Sequence, residues 1–522
     1  MRVSPVLMCY LGACATQEEL QKPAPADRGY PTLTPPPDTT DDTGTTDDTG
    51  TTTTDDTGTT GTSLVCEVVI IGGGVGGLHT AFRLAPELGD EVCLFEKEAQ
   101  LGGRIKDVTL NDDPTAPRIG VGARRIMEGQ DVLLDLAVEL GIETETPTVT
   151  ADLINARGGY AFSKEDLVPL YSLSPDPSGD TETALYDALR FGPERANIGS
   201  YANFETYTRA VVGDEGYAFL RDMSRFRADF EYELDAAGYL EYLDEEWDVC
   251  CTPSYPVGGM SSFILAMQAE AEADGAQIFM SEPVSDIQRD GDDYLVTTSN
   301  QTVRANKVVF AVPPVAFDYL TGDVVDEIRA QTIYQDIVGV KVVTITQWWD
   351  TPWYNDIVNP ALTVDNQVWR AWTTEHCLNF IEIPLEPYAA AANVTRSVYN
   401  DNAACSEFWE GLAASGDDAV NAEVKAGLTQ LFVDNGVSPT VTIPDPIGVH
   451  VEVFPAAWHW LRAGTSATNA ELAAWAVEPL PGDDVALVGE AYHVQRSGWS
   501  DGAYKSSIML LNTRFGMSLP GI

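Results

Sequence analysis

Positive charge is scarce in this 522-residue chain: 30 Lys and Arg stand against 80 Asp and Glu, a formal net charge of −50. A field of that sign repels phosphate backbones and argues against a nucleic-acid partner. Long apolar runs are missing too. No stretch reaches the ~18 consecutive apolar residues of a spanning helix. Histidine is rare, with five in all, and none of the eight cysteines falls into a CxxC or Cys/His metal spacing, so no metal site is expected. What is plentiful is apolar material in short runs. With 44% hydrophobic and 9% aromatic residues the chain can bury a sizeable core, and its length calls for several lobes.

Residues 1–13 (MRVSPVLMCYLGA) carry one early cation, Arg2, and a short apolar stretch ahead of Cys14. Leu11-Gly12-Ala13-Cys14 resembles a bacterial lipobox, which implies an exported lipoprotein held on a membrane face by a lipidated Cys14. The leader is shorter than an ordinary signal peptide, in keeping with a start upstream. Residues 14–62 end in repeats of Asp, Thr and Gly that cannot bury enough surface to offset their ordering entropy. They read as a disordered tether reaching about 40 Å as a coil. Beyond them, Cys66, Cys93, Cys250, Cys251, Cys377 and Cys405 are thiols or, in an oxidising compartment, disulfides, with Cys377–Cys405 the first pairing to test.

The globular body opens with a continuous apolar run, Val65–Ile71, of the kind buried in parallel sheets. It enters Gly72-Gly73-Gly74-Val75-Gly76-Gly77 and then a helical pattern, and a second strand ends at Glu96. Gly72 serves the tight turn, Gly74 lets a pyrophosphate approach the backbone, and Gly77 allows close helix–strand packing. The helix start offers its positive dipole end to the phosphates, and Glu96 can accept both ribose hydroxyls. An acidic residue there argues against a 2′-phosphorylated ligand. Leu101-Gly102-Gly103-Arg104 follows closely, and this resembles the second glycine pair of FAD-binding flavoenzymes, in which the Arg runs along the diphosphate.

Four distant stretches complete a pattern: Gly122-Ala123-Arg124-Arg125, Tyr255-Pro256-Val257-Gly258-Gly259-Met260, Gly339-Val340-Lys341-Val342, and Val488-Gly489-Glu490 with Ser497-Gly498-Trp499-Ser500-Asp501-Gly502-Ala503. In this order the chain resembles the flavin-containing amine oxidase family, and within it most closely the L-amino-acid oxidases. The resemblance implies non-covalent FAD, since no Cys follows Cys405 where the covalent monoamine oxidases carry theirs. The cofactor set it implies is Gly72, Gly74, Val75, Gly76, Gly77, Glu96, Lys97, Gly103, Arg104, Gly122, Ala123, Arg124, Arg125, Val284, Glu490, Gly498, Trp499, Ser500, Asp501, Gly502 and Ala503. Lys341 would hydrogen-bond flavin N5 through water as the catalytic residue. Arg125 would fork onto the substrate carboxylate, as guanidinium does best, with Gly498 and Trp499 flanking the substrate. Arg124 stands where those oxidases have Met. A His they place in the helical lobe has no counterpart, because no His lies between His79 and His376.

The expected architecture is α/β: a FAD-binding Rossmann-like domain of glutathione-reductase type, an interleaved substrate-binding sheet domain and an inserted helical lobe. The FAD domain takes residues 63–110, 257–330 and 460–522, the sheet domain 111–149 and 331–459, and the lobe 150–256. The implied reaction removes the Cα hydrogen of an amine as hydride to flavin, giving imine, then keto acid and ammonia, with oxygen reduced to hydrogen peroxide. Polyamine or monoamine oxidation fits the acidic charge but leaves Arg125 without a task. A tethered dehydrogenase, desaturase or flavin-binding protein is the third reading. Expected partners are a small amine or amino acid and molecular oxygen, the membrane only through the anchor, and a homodimer is left open.

Overall fold

The computed structural model describes residues 64–147, 152–248, 252–357, 370–383, 392–493 and 498–521. The leader, the tether, Cys250, Cys251 and Ser497 lie outside the described residues, so the readings made on them stay expectations.

Two seven-stranded sheets organise the body. The first is built around Val65–Ile71, whose Val68–Ile71 half is buried on both faces, as a central parallel strand requires. Strand order runs Gln277–Phe279, Val92–Phe95, Val65–Ile71, Thr302–Phe310, Asp293–Thr298 and Val284–Asp290, with Val485–Leu487 beside Thr302–Phe310. The neighbours of Val65–Ile71 are parallel to it, whereas Val284–Asp290 and Asp293–Thr298 form an antiparallel meander. The helix Val75–Leu88 bridges the first two strands in sequence and packs against Ser261–Ala273 and Ser500–Arg514. A disulfide, Cys66–Cys93, joins the first two strands.

The second sheet runs Gly448–Leu461, Ile337–Trp348, Val394–Asn400, Phe380–Glu382, Arg370–Thr373, Asp152–Ala156 and Gly159–Ala161. Its last two strands correct the expected lobe, which was drawn from residue 150. Arg157 and Gly158 both have positive φ (51° and 73°), the requirement of a tight two-residue hairpin turn, and five residues are too few for alternation to stand out. The helical lobe proper holds Thr181–Phe191, Phe204–Met223 and Ala236–Asp248. Its aromatic core, including Phe204, Tyr207, Tyr217 and Phe230, continues into Val342, Trp458 and Trp460 of the second sheet. The opposite face of that sheet is covered by Ala403–Ala413 and Asp417–Thr429, helices inside a stretch expected to be sheet. They bring Trp409, Val420 and Val424 onto Val343, Ile345 and Val398. The expected Cys377–Cys405 disulfide ties Ala403–Ala413 to the turn before Phe380–Glu382.

Candidate active site

A chamber of about 1020 Å³ runs from the glycine loop to the inner face of the second sheet. That is the upper end of the size of small-molecule sites, about 300–1000 Å³. At its first end lie Gly72, Gly74, Val75 and Gly76, together with Glu96, Gly103 and Arg104. Gly72 sits at φ +103°, and a Cβ on it would come 2.7 Å from the Ala311 carbonyl oxygen. Gly77 does not line the chamber; a Cβ there would fall 2.0 Å from the Gly72 oxygen, so its task is helix–strand packing. Gly74 is different. Nothing lies within 4 Å of where its Cβ would stand, which leaves the loop backbone open to a ligand. The helix behind it has no acidic residue in its first turn, so its positive end is uncompensated. Glu96 fixes the loop by accepting Gly73 N (2.7 Å) at Oε2 and Glu98 N (2.9 Å) at Oε1, with lone pairs to spare on each oxygen.

Glu490 is buried at the middle of the chamber wall. Arg104 Nη1 donates to its Oε2 at 2.6 Å and to the Ala457 carbonyl at 2.7 Å, while His459 N donates to Oε1 at 2.9 Å. Burial alone would raise this carboxyl; Arg104 and His459 outweigh it and hold it near about 2. Arg104 thus reaches the cofactor end as half of an ion pair. Gly498, at φ +76°, Trp499, Ser500 and Ala503 line the chamber where Ser500–Arg514 begins, whereas Asp501 and Gly502 are buried in that first turn without lining it. Val284, Gly122 and Ala123 also line it, and Lys97 lies at its exposed rim beside Glu98. These residues fit a dinucleotide: an open glycine cradle, a helix start without a counter-charge and a carboxylate at the end of the second strand.

The far end is built differently. Glu382 is buried and ion-paired to buried Arg124, with Arg125 Nη1 and Arg396 Nη1 each at 3.5 Å. Burial would raise Glu382, but Arg124, Arg125, Arg396 and Arg370 bring it down to about 2. The cation standing where Met was expected is therefore a structural counter-ion, set on the sheet rather than on a phosphate. Arg125 lies 5.9 Å over the Trp499 ring. Phe226, Phe380, Tyr399 and Trp458 also line the chamber and pack on one another, with Tyr399 and Trp458 nearly parallel at 6.4 Å between centroids. The indole nitrogens of Trp458 and Trp460 have no acceptor among the described residues.

Lys341 is not brought into this site. Along Ile337–Trp348, Val342 and Thr344 face the chamber, and the two-residue period turns Lys341 to the other side with Val343 and Ile345. There its Nζ donates to Glu410 of Ala403–Ala413 at 2.7 Å. Sequence reasoning also missed Glu382, Arg396, Tyr399 and Trp458. Glu382 and Arg396 are charges inside short strands, and an ionic residue in such a run is costly unless partnered, a signal that marks them without telling what they face.

The model of the family described as flavin containing amine oxidoreductase matches residues 75–370. The chain belongs to that family. Its cofactor is FAD, and its fold is the α/β arrangement of a Rossmann-like FAD domain with a substrate-binding sheet. AofH of Mycobacterium tuberculosis, described as a flavin-containing monoamine oxidase, is 29% identical over 275 residues, 48% of this chain and 57% of that one. The flavin-containing amine oxidase B of Canis lupus familiaris is 22% identical over 274 residues, covering 48% and 50%. The chain thus spans about half the length of the curated relatives it matches. Among solved structures, cyclohexylamine oxidase from Brevibacterium oxydans superposes with a TM-score of 0.63 at 16% identity, and putrescine oxidase bound to putrescine with 0.59 at 15%. Each covers 85% of this chain and 97% of the other, a likeness of fold.

Proposed function

We propose that this amine oxidoreductase acts on α-amino acids, giving the keto acid by way of the imine, ammonia and hydrogen peroxide. The observation that carries the reading is Arg125, a chamber-lining guanidinium whose nearest carboxylate, Glu382, is already held by Arg124 and Arg396. A guanidinium so placed favours a ligand that brings a carboxylate over one that brings only a cationic amine. Arg125 binds the carboxylate, the Trp499 indole beneath it and Trp458 form the walls, and Phe226, Phe380 and Tyr399 exclude water around the Cα. When bound, FAD supplies a two-electron acceptor for the Cα hydrogen, with oxygen as the terminal acceptor.

Amine oxidation without a carboxylate is the second reading. It is favoured by the amines named for the relatives and by Asp229, an acidic residue of the chamber lining. Peroxide release from purified protein against the twenty L-amino acids, their D-forms, putrescine, spermidine and cyclohexylamine decides between them. Turnover of L-amino acids above every amine supports the proposal; preference for an amine overturns it. The setting we propose is extracytoplasmic, on a lipid anchor at Cys14. It is supported by the lipobox-like Leu11–Cys14, the Asp/Thr/Gly tether and two disulfides, bonds that persist in oxidising compartments.

A further inference from the structure

Of the large apolar side chains left exposed among the described residues, two line the chamber: Val315, 38% exposed, and Tyr319, 81% exposed. A single exposed aromatic ring is ordinary on a protein surface. What sets Tyr319 apart is where its backbone is held.

Tyr319 ends the short 3-10 helix Pro314–Tyr319, which is entered through Pro313. Phe317 of that helix is fully buried in the core of the first sheet, and the Tyr334 hydroxyl donates to the Pro314 carbonyl at 3.0 Å. Leu320 N donates to the Phe317 carbonyl at 3.1 Å, and Thr321 N donates to the Ser285 carbonyl at 2.9 Å. The ring is therefore carried on a fixed support beside Pro283 and Val284, and all three residues line the chamber. Glu282 N in turn donates to the Glu96 carbonyl at 2.9 Å. The same end of the chamber thus holds the carboxylate suited to a ribose and an apolar rim of Val284, Val315, Ala316, Tyr319 and Leu320.

The order of groups along FAD follows from these fixed points. A diphosphate belongs at the glycine loop and helix start, and the adenosine ribose belongs at the acidic end of the second strand. The adenine then falls beyond Glu96, on the side of Pro283 and Val284, where the Tyr319 ring stands at the rim.

We propose that Tyr319 stacks on the adenine of FAD and closes that end of the chamber, with Val315 as its apolar neighbour. Every base offers a π-face to an aromatic ring, so stacking holds it without a hydrogen bond. A tyrosine has only two side-chain torsions to fix and loses little freedom in doing so. The proposal rests on the FAD site alone and is independent of whether the substrate is an amino acid or an amine.

The test is how fast the holoenzyme loses its cofactor. Release is followed by the rise of free-flavin fluorescence after dilution of wild type, Tyr319→Ser and Tyr319→Phe. Tyr319→Ser should release FAD about tenfold faster, within what stacking on one base supplies, whereas Tyr319→Phe should stay within about twofold of wild type. The absorbance bands of the bound flavin should be the same in all three, because the flavin ring lies towards the substrate end. In wild type itself, tetranitromethane should nitrate Tyr319, located by peptide mapping, more slowly in the holoenzyme than in deflavinated full-length protein. FAD release from Tyr319→Ser within about twofold of wild type would overturn the proposal. Equal nitration with and without FAD would also overturn it. So would a shifted flavin spectrum in Tyr319→Ser, which would mean a disturbed site rather than a lost stacking contact.

Discussion

The Arg125 guanidinium has a weak hold on protein: 3.5 Å to a Glu382 oxygen and 5.9 Å above an indole. Losing the partner of a buried carboxylate typically costs about 3–5 kcal/mol. Arg125→Met should therefore lower kcat/KM for α-amino acids roughly a hundred- to several-thousand-fold, since each 1.36 kcal/mol is tenfold. FAD content, read from the flavin absorbance, should be kept, because the glycine loop and Glu96 lie at the other end of the chamber. Loss of flavin in this variant would assign the arginine to the cofactor. Asp401 gives a prediction of another kind. It is buried one residue past Val394–Asn400, and its Oδ1 accepts Arg227 N at 3.1 Å. Burial raises its carboxyl to about 7 against the restraint of those backbone hydrogen bonds. A folded-state value above the unfolded one means stability fully present below about 4 and lost as pH rises through 7. Relative to Asp401→Asn, wild type should lose roughly 3–4 kcal/mol between pH 4 and pH 8 in denaturant titrations, each pKa unit being worth 1.36 kcal/mol. A pH-independent difference would contradict this. Buried His79 acts in the opposite sense, since burial and then Arg83 lower it to about 3, so protonating it costs stability as pH falls below about 6.5.

At the scale of the element, one strand carries both a success and a failure of sequence reading. Ile337–Trp348 is legible as a strand from its β-branched residues, but which of its alternating faces meets the chamber depends on what packs on each side. Ala403–Ala413 covers one face and takes Lys341 with it, and that helix is distant in sequence. Lys341→Met should consequently change kcat and the rate of flavin reoxidation by less than about threefold, an exposed Lys–Glu pair being worth about 0–1 kcal/mol. Stopped-flow reoxidation by oxygen checks this, and a tenfold loss would return Lys341 to the cofactor. The nucleotide-binding start was legible because its chemistry is local: strand, glycine turn, helix and acidic strand end lie within residues 65–96 and each constrains the next. The arginine–glutamate cluster was half legible. Arg125 came with a short motif, whereas Glu382 and Arg396 come from separate strands, and only the second sheet brings them together.

At the scale of the whole molecule, a strongly acidic chain places a group of arginines at the far end of its chamber. The chain carries −50 formal charges, yet three arginines, Arg124, Arg125 and Arg396, line the far end of one chamber. Such a body is repelled by anionic lipid headgroups, so electrostatic adsorption to a membrane face is unfavourable. No helix among the described residues is long and apolar enough to cross a bilayer. The lipid anchor we propose at Cys14 is tested apart from these terms. A single acyl chain binds only marginally, whereas several on one cysteine hold firmly. In a bacterial host that processes lipoproteins, the protein should sediment with membranes, resist extraction by high salt and be released by detergent. Cys14→Ala should move it to the soluble fraction with its flavin spectrum and turnover unchanged, because the tether separates the anchor from the FAD domain by dozens of residues. Equal membrane partition of Cys14→Ala and wild type would show that Leu11-Gly12-Ala13-Cys14 is incidental.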